Sequence, residues 1–167
     1  MTGVIWLPHE VFMRIAHEAT RVAPNETGGV LLGYWVRSAD SPGGPEVVVT
    51  EAVGPGPGAV HERSWFIPDH AYQEREIARL YEASGRMATY LGDWHAHPDG
   101  PAALSTRDLA TLRRIASAPA ARAPRPIMLL LTGGKPWIAH AWFGVLDADR
   151  WRRQLRTVRL SVRAHDP

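Results

Sequence analysis

The chain predicts an α/β domain, a mixed sheet flanked by helices, and three observations predict it. Continuous apolar runs at residues 30–36 and 127–132 are what strands covered on both faces require. Other segments carry apolar residues at helical spacing, most clearly Val11, Ile15, Ala19 and Val22. Strand and helix patterns follow one another along the chain, which suits a sheet with helices on its faces.

Residues 4–7 form a short apolar run suited to a first strand, and Pro8 opens a helix, as proline does at a first helical position. Phe12 and Ala16 widen the stripe begun by Val11, and Pro24 ends the helix. Residues 25–29 then lead into the buried central strand 30–36. Turn residues fill 38–45, and 46–53 is the returning strand of a hairpin. The Gly-Pro-Gly-Pro-Gly stretch at 54–58 must be a loop, because proline and glycine suit neither a helix interior nor a central strand. Residues 61–67 read as an edge strand. Residues 69–84 read as a second helix carrying Ile77, Leu80 and Tyr81, stopped by Gly85.

A strand follows, with Tyr90, Leu91 and Trp94, until Pro98 stops it. Residues 108–117 form a third helix with Leu109, Leu112 and Ala116 inward, and prolines break the loop 118–126. Residues 127–132, Gly133-Gly134 and 137–143 read as a second hairpin. The end is ambiguous: Arg150 to Leu155 suits a helix, whereas Val158, Leu160 and Val162 alternate as in a strand.

With 167 residues the chain fits one domain, 1–167, able to bury a proper core. It has no cysteine, which excludes disulfides and thiolate metal sites and agrees with a reducing cytoplasm. Any metal must use His, Asp or Glu. No apolar run is long enough to span a bilayer, and the N-terminus shows no basic stretch followed by an apolar one. The net charge of +2 gives no argument for nucleic acid as the main partner. Eighteen of the nineteen basic residues are arginine, and Arg150, Arg152, Arg153, Arg156, Arg159 and Arg163 crowd the segment from about 147. That cluster suits a solvated face or a docking patch for an acidic partner; contact with phosphate is the rival reading.

His95 and His97 are two residues apart at the end of a strand, so both imidazoles project to one face. After ten intervening residues, Asp108 opens the next helix behind Ser105. Two imidazoles and a carboxylate converging on one point make a three-ligand site for a divalent metal, and hydrolytic zinc typically keeps a fourth position for water. Each piece has a plainer reading. A His-x-His pair on a strand can be incidental, and Ser105-x-x-Asp108 fits a capping pair at a helix N-terminus. Capping does not explain why both histidines share a face, so the joint pattern favours the metal. Chemistry there needs a carboxylate outside the ligand set to move a proton from water to the leaving amine. Glu26, just before a central strand and near a sheet end, is the leading candidate. Glu51, Glu62 and Asp93 are alternatives, and an ordinary loop carboxylate is the plain reading of Glu26.

Glu26-Thr-Gly-Gly-Val-Leu-Leu-Gly33, Gly92-Asp-Trp-His95-Ala-His97-Pro98 and Ser105-x-x-Asp108 together resemble the JAMM metalloproteases, the Mov34/Pad1 or JAB group. The loop 54–59 looks like that of the stand-alone prokaryotic JAB branch, and the resemblance runs from about residue 4 to 145. It implies a cytidine-deaminase-like three-layer α/β/α architecture and Zn2+ held by His95, His97 and Asp108. It also implies Glu26 as the base and Ser105 as the hydroxyl that supports the oxyanion. The implied reaction is cleavage after the C-terminal glycine of a ubiquitin-like protein, from a lysine isopeptide link or a peptide extension. Activating and conjugating enzymes accompany relatives, some of which act in antiphage defence. Trimming of a sulfur carrier's C-terminus would use the same chemistry. A non-catalytic scaffold of the same fold usually lacks a ligand, and here the set is whole. The insertion after Pro98 is very short, which argues against selection of one polyubiquitin linkage. The arginine-rich end has no counterpart in the family. The substrate tail is expected to be narrow and to add as a strand beside 61–67.

Overall fold

The computed structural model describes residues 3–38, 40–147 and 154–165. The first strand, β1 (Gly3–Pro8), runs directly into α1 (His9–Val22), and Pro8 is the cap before the helix rather than its first residue. The helix buries Val11, Ile15, Ala16 and Ala19, the stripe its spacing predicts. Next come β2 (Thr27–Arg37) and β3 (Glu46–Val53), an antiparallel pair. β2 begins three residues earlier than its apolar run because Thr27, Gly28 and Gly29 pair with the strand that carries the histidines.

Residues 61–67 correct an expectation. They form no single edge strand but a small hairpin, β4 (Val60–His61) against β5 (Phe66–Ile67), separate from the main sheet. The reason is local: the main-chain groups around His61 and Glu62 bond to Asn25 and Glu26 instead of to a sheet neighbour. Helix α2 (His70–Ala83) follows, its N-terminus capped by Asp69, which accepts the Tyr72 amide at 3.0 Å. Then come β6 (Thr89–His97), α3 (Thr106–Ser117), β7 (Ile127–Thr132) and β8 (Ile138–Leu146). The last strand, β9 (Leu155–His165), settles the ambiguous end for the residues described there. Arg150, Arg152 and Arg153 lie outside the described residues, as does the helix considered from 150 apart from Gln154, which is in neither helix nor strand, and Leu155, which is strand.

The strand order is β1-β3-β2-β6-β7-β8-β9, and β9 returns to pair in parallel with β1, so the mixed sheet curls until its two ends meet. Side chains alternate between two packed faces, as strands covered on both sides must. Leu31, Ile127, Leu129 and Leu131 join the main core with α1. Val30 and Leu32 point the other way, toward Ile77 and Leu80 of α2. α3 packs against β7 and β8, completing the predicted arrangement of a mixed sheet flanked by helices. One helix face differs from expectation: Leu109 is 38% exposed, whereas Leu112 and Ile115 are buried. The inward position in the first turn of α3 belongs to Asp108, and Leu109 lies a third of a turn away from it. Among the described residues no helix is long and apolar enough to cross a membrane.

Candidate metal centre

The pairing of β2 with β6 sets Gly28 opposite His95 and Thr27 opposite Ala96. His95 and His97 therefore emerge on one face, with ring centroids 6.1 Å apart. Trp94, next to His95 in β6 and part of the main core, is fully buried and donates its indole N–H to the Val53 carbonyl at 3.0 Å, which ties β6 to the end of β3. Gly28 permits the close approach. A Cβ there would fall onto the Trp94 carbonyl oxygen and come within 2.5 Å of Phe66 and 2.8 Å of His95.

Asp108 arrives from the first turn of α3. It caps the helix with one oxygen and turns the other toward the histidines. The Ser105 hydroxyl oxygen accepts the Asp108 amide at 3.2 Å, while Asp108 Oδ2 accepts the Ser105 amide at 2.7 Å, a complete capping box. The other oxygen, Oδ1, lies 2.7 Å from Nδ1 of His95 and 3.9 Å from Nε2 of His97. His95, His97 and Asp108 each place one ligand atom within 4.8 Å of the others, a donor set of two imidazole nitrogens and one carboxylate that fits a divalent transition metal.

The surroundings support ligands in their metal-binding forms. Burial works to raise the pKa of Asp108, but hydrogen bonds from His95 and Ser105 and the nearby His95 charge outweigh it and hold the group at about 2. Burial lowers the pKa of His97, against the opposing charge of Asp108 and with a smaller push from His95, which disfavours the protonated ring.

Glu26 stands over this cluster, its Oε1 3.9 Å from Nε2 of His97. Burial raises its pKa, and the Asp108 charge adds to the rise while His95 and Arg107 oppose it. The alternative carboxylates are engaged differently, although Asp93 lines the same cavity. Glu51 pairs with Arg14 at 2.9 Å, Glu62 gives its main-chain carbonyl to the Glu26 amide, and Asp93 accepts the Tyr90 hydroxyl at 2.6 Å.

A groove of about 860 Å3 leads from the cluster between α2 and α3, floored by β6 and walled on one side by residues 64–68. Sequence reading missed how Tyr90 and Asp93 enter it. Leu31 pairs with Gly92 and Leu32 with Tyr90, so Leu91 is an extra residue in β6, a bulge. Gly92 takes φ +146° there, and a Cβ would strike the Ile127 backbone. The bulge brings Tyr90 and Asp93 into the same groove as His95. A glycine inside a strand pattern was the available signal. His61 and Phe66, which touch Glu26 and His95, were also missed as site residues.

Fold and site together define a metal-dependent hydrolase. The model of a family described as prokaryotic homologs of the JAB domain matches residues 8–154. A probable metalloprotease, y4qB, of Sinorhizobium fredii is 40% identical over 148 residues, 87% of either chain. A CD-NTase/cGAS isopeptidase of Vibrio cholerae is 24% identical over 147 residues, 87% of this chain and 83% of the relative. Another, from Escherichia coli, is 29% identical over 91 residues, 54% of each. Among solved structures, protein DSY2949 of Desulfitobacterium hafniense superposes with a TM-score of 0.63 at 17% identity, covering 98% of this chain and 94% of its own, a likeness of fold. The chain belongs to the prokaryotic JAB family of metallopeptidases.

Proposed function

We propose that this protein is a zinc (iso)peptidase that cuts after the C-terminal glycine of a ubiquitin-like protein, removing it from a conjugate or trimming a precursor. The observation that carries this reading is the Glu26 carboxylate, 3.9 Å from His97 and directly above three converging donors at the head of a groove. His95, His97 and Asp108 would hold the metal, which supplies a Lewis acid for activating water and polarising the scissile carbonyl. Glu26 takes the proton of the attacking water, and a base in a partly dry site with a raised pKa is suited to keep it until the amine departs. It then returns that proton to the leaving nitrogen. Ser105 spends its oxygen lone pair on the Asp108 amide, which leaves its own O–H free to donate to the developing oxyanion. One such donor is worth about 3–4 kcal/mol in the transition state.

We place the substrate tail beside β5, since residues 64–68 line the groove that holds the donor cluster. The isopeptidase names of two relatives support a protein conjugate as substrate; a place in antiphage defence, with activating and conjugating enzymes as companions in the cytoplasm, is part of the same proposal. Trimming of a sulfur carrier remains the same chemistry on another tail. A complete donor set with an acid above it speaks against a pure scaffold. We read 1–167 as one domain, because the late strand β9 completes the sheet against β1. The test is Glu26→Gln, which should keep its zinc and hold uncleaved substrate during a pull-down from the native cell. A variant that binds stoichiometric zinc yet turns over its captured substrate at the parent rate would overturn the assignment.

A further inference from the structure

Glu26 precedes β2, so the sheet ladder does not hold it. Both of its main-chain polar groups go instead to the β4–β5 hairpin. Its N–H donates to the Glu62 carbonyl at 2.8 Å, and its carbonyl lies 3.0 Å from Nδ1 of His61. Because a carbonyl only accepts, Nδ1 of His61 carries the proton. Asn25 Nδ2 adds a third bond, to the His61 carbonyl, at 3.3 Å. On its other side the His61 ring stacks on Phe66 at 6.4 Å and 12°, and Phe66 meets His95 edge-on at 5.1 Å and 87°.

From this geometry we infer that His61 is a positioning residue, fixing the main chain of Glu26 so that its carboxylate stands over the donor cluster. The inference rests on the reading of Glu26 as the base. The hairpin serves two sides: β4 grips the segment that carries the base, while β5 faces the groove and, through Phe66, braces a metal-binding histidine. A base on a free loop would sample many positions, and misplacement by about 1 Å can cost about a hundredfold in rate. Here the loop is bonded through both main-chain polar groups of one residue.

Three variants separate donation from ring packing. His61→Asn places an amide N–H near the position of Nδ1, His61→Phe keeps a ring for Phe66 but has no donor, and His61→Ala has neither. With zinc-loaded protein and a peptide whose Gly-Gly end bears a fluorogenic amide, kcat should fall about tenfold or more in the Phe and Ala variants. KM and zinc content should stay within about twofold, and Asn should restore most of the loss. Hydrogen exchange gives a readout without turnover: amides at 26–29 should exchange faster in the Phe and Ala variants and at the parent rate in Asn. Parent-like exchange at 26–29 in His61→Phe, or an unchanged kcat in His61→Ala, overturns the inference. If the parent protein fails to cleave the probe, the peptidase reading suffers, and the exchange rates alone decide the role of His61.

Discussion

The Asp108 carboxylate faces His95 at 2.7 Å with one oxygen and the Ser105 amide at 2.7 Å with the other, so a single side chain both caps a helix and joins the candidate donor cluster. The two duties can be separated. Asp108→Asn keeps an oxygen able to accept the Ser105 amide but loses the charge. It should melt within a few degrees of the parent while binding zinc at least about a hundredfold more weakly. Asp108→Ala should lose the metal as well and a further ~1 kcal/mol of cap stability. Metal analysis beside thermal unfolding distinguishes these outcomes, and parent-like zinc affinity in Asp108→Asn would remove the carboxylate from the donor set.

Gly28 is the point where backbone, Phe66 and His95 crowd together. Gly28→Ala should displace the His95 ring and abolish activity by about a hundredfold or more, with about 1–3 kcal/mol of destabilisation from overpacking. Activity near the parent level, measured on folded protein with its zinc content checked, would show that the sheet relaxes around the methyl.

Thr27 predicts a change in the opposite direction. It is fully buried, and its hydroxyl has no hydrogen-bond partner among the described residues. Thr27→Val should be neutral or stabilise the fold by about 1 kcal/mol, since it removes an unsatisfied polar atom at nearly constant volume. A clear loss in denaturant midpoint would reveal a hidden partner, such as a buried water.

Glu46 should leave a mark on acid stability. Its Oε1 accepts the Trp6 indole N–H at 2.8 Å, and Oε2 pairs with Arg37. The Trp6 bond is the largest cause that lowers its pKa, with Arg37 adding to it against burial. A folded value below the unfolded one means that the unfolded chain binds the proton more readily. The contribution is therefore complete above the unfolded value near 4.5 and fades as the pH falls through the lower folded value. Glu46→Gln should flatten the acid limb of a stability–pH curve relative to the parent, and identical curves would defeat the assignment.

The helices and the main strands were legible because their signals are local and periodic: α1 follows its Val11-Ile15-Ala19 stripe, and β3 has the bounds that the sequence suggests. The donor set was legible for a similar reason, since two strand residues two apart must share a face and a capping acid must lie near a helix start. What escaped depends on contacts between distant segments. Leu109 follows helical spacing yet faces out because Asp108, drawn to the histidines, takes the inward position. The 61–67 segment has strand-forming residues, but its pairing was decided by Asn25 and Glu26, some 36 residues earlier. The bulge at Leu91 also escaped, because a single inserted residue leaves the composition of a strand unchanged.

The parallel pairing of β1 with β9 joins residues more than 150 positions apart, from Gly3 with Leu160 to Pro8 with His165. Such remote partners make folding slow, for chain closure must be paid entropically before the contact rewards it. A nascent chain that has not yet delivered β9 would present β1 and β8 as open templates for other copies, so chaperone demand should peak before β9 emerges.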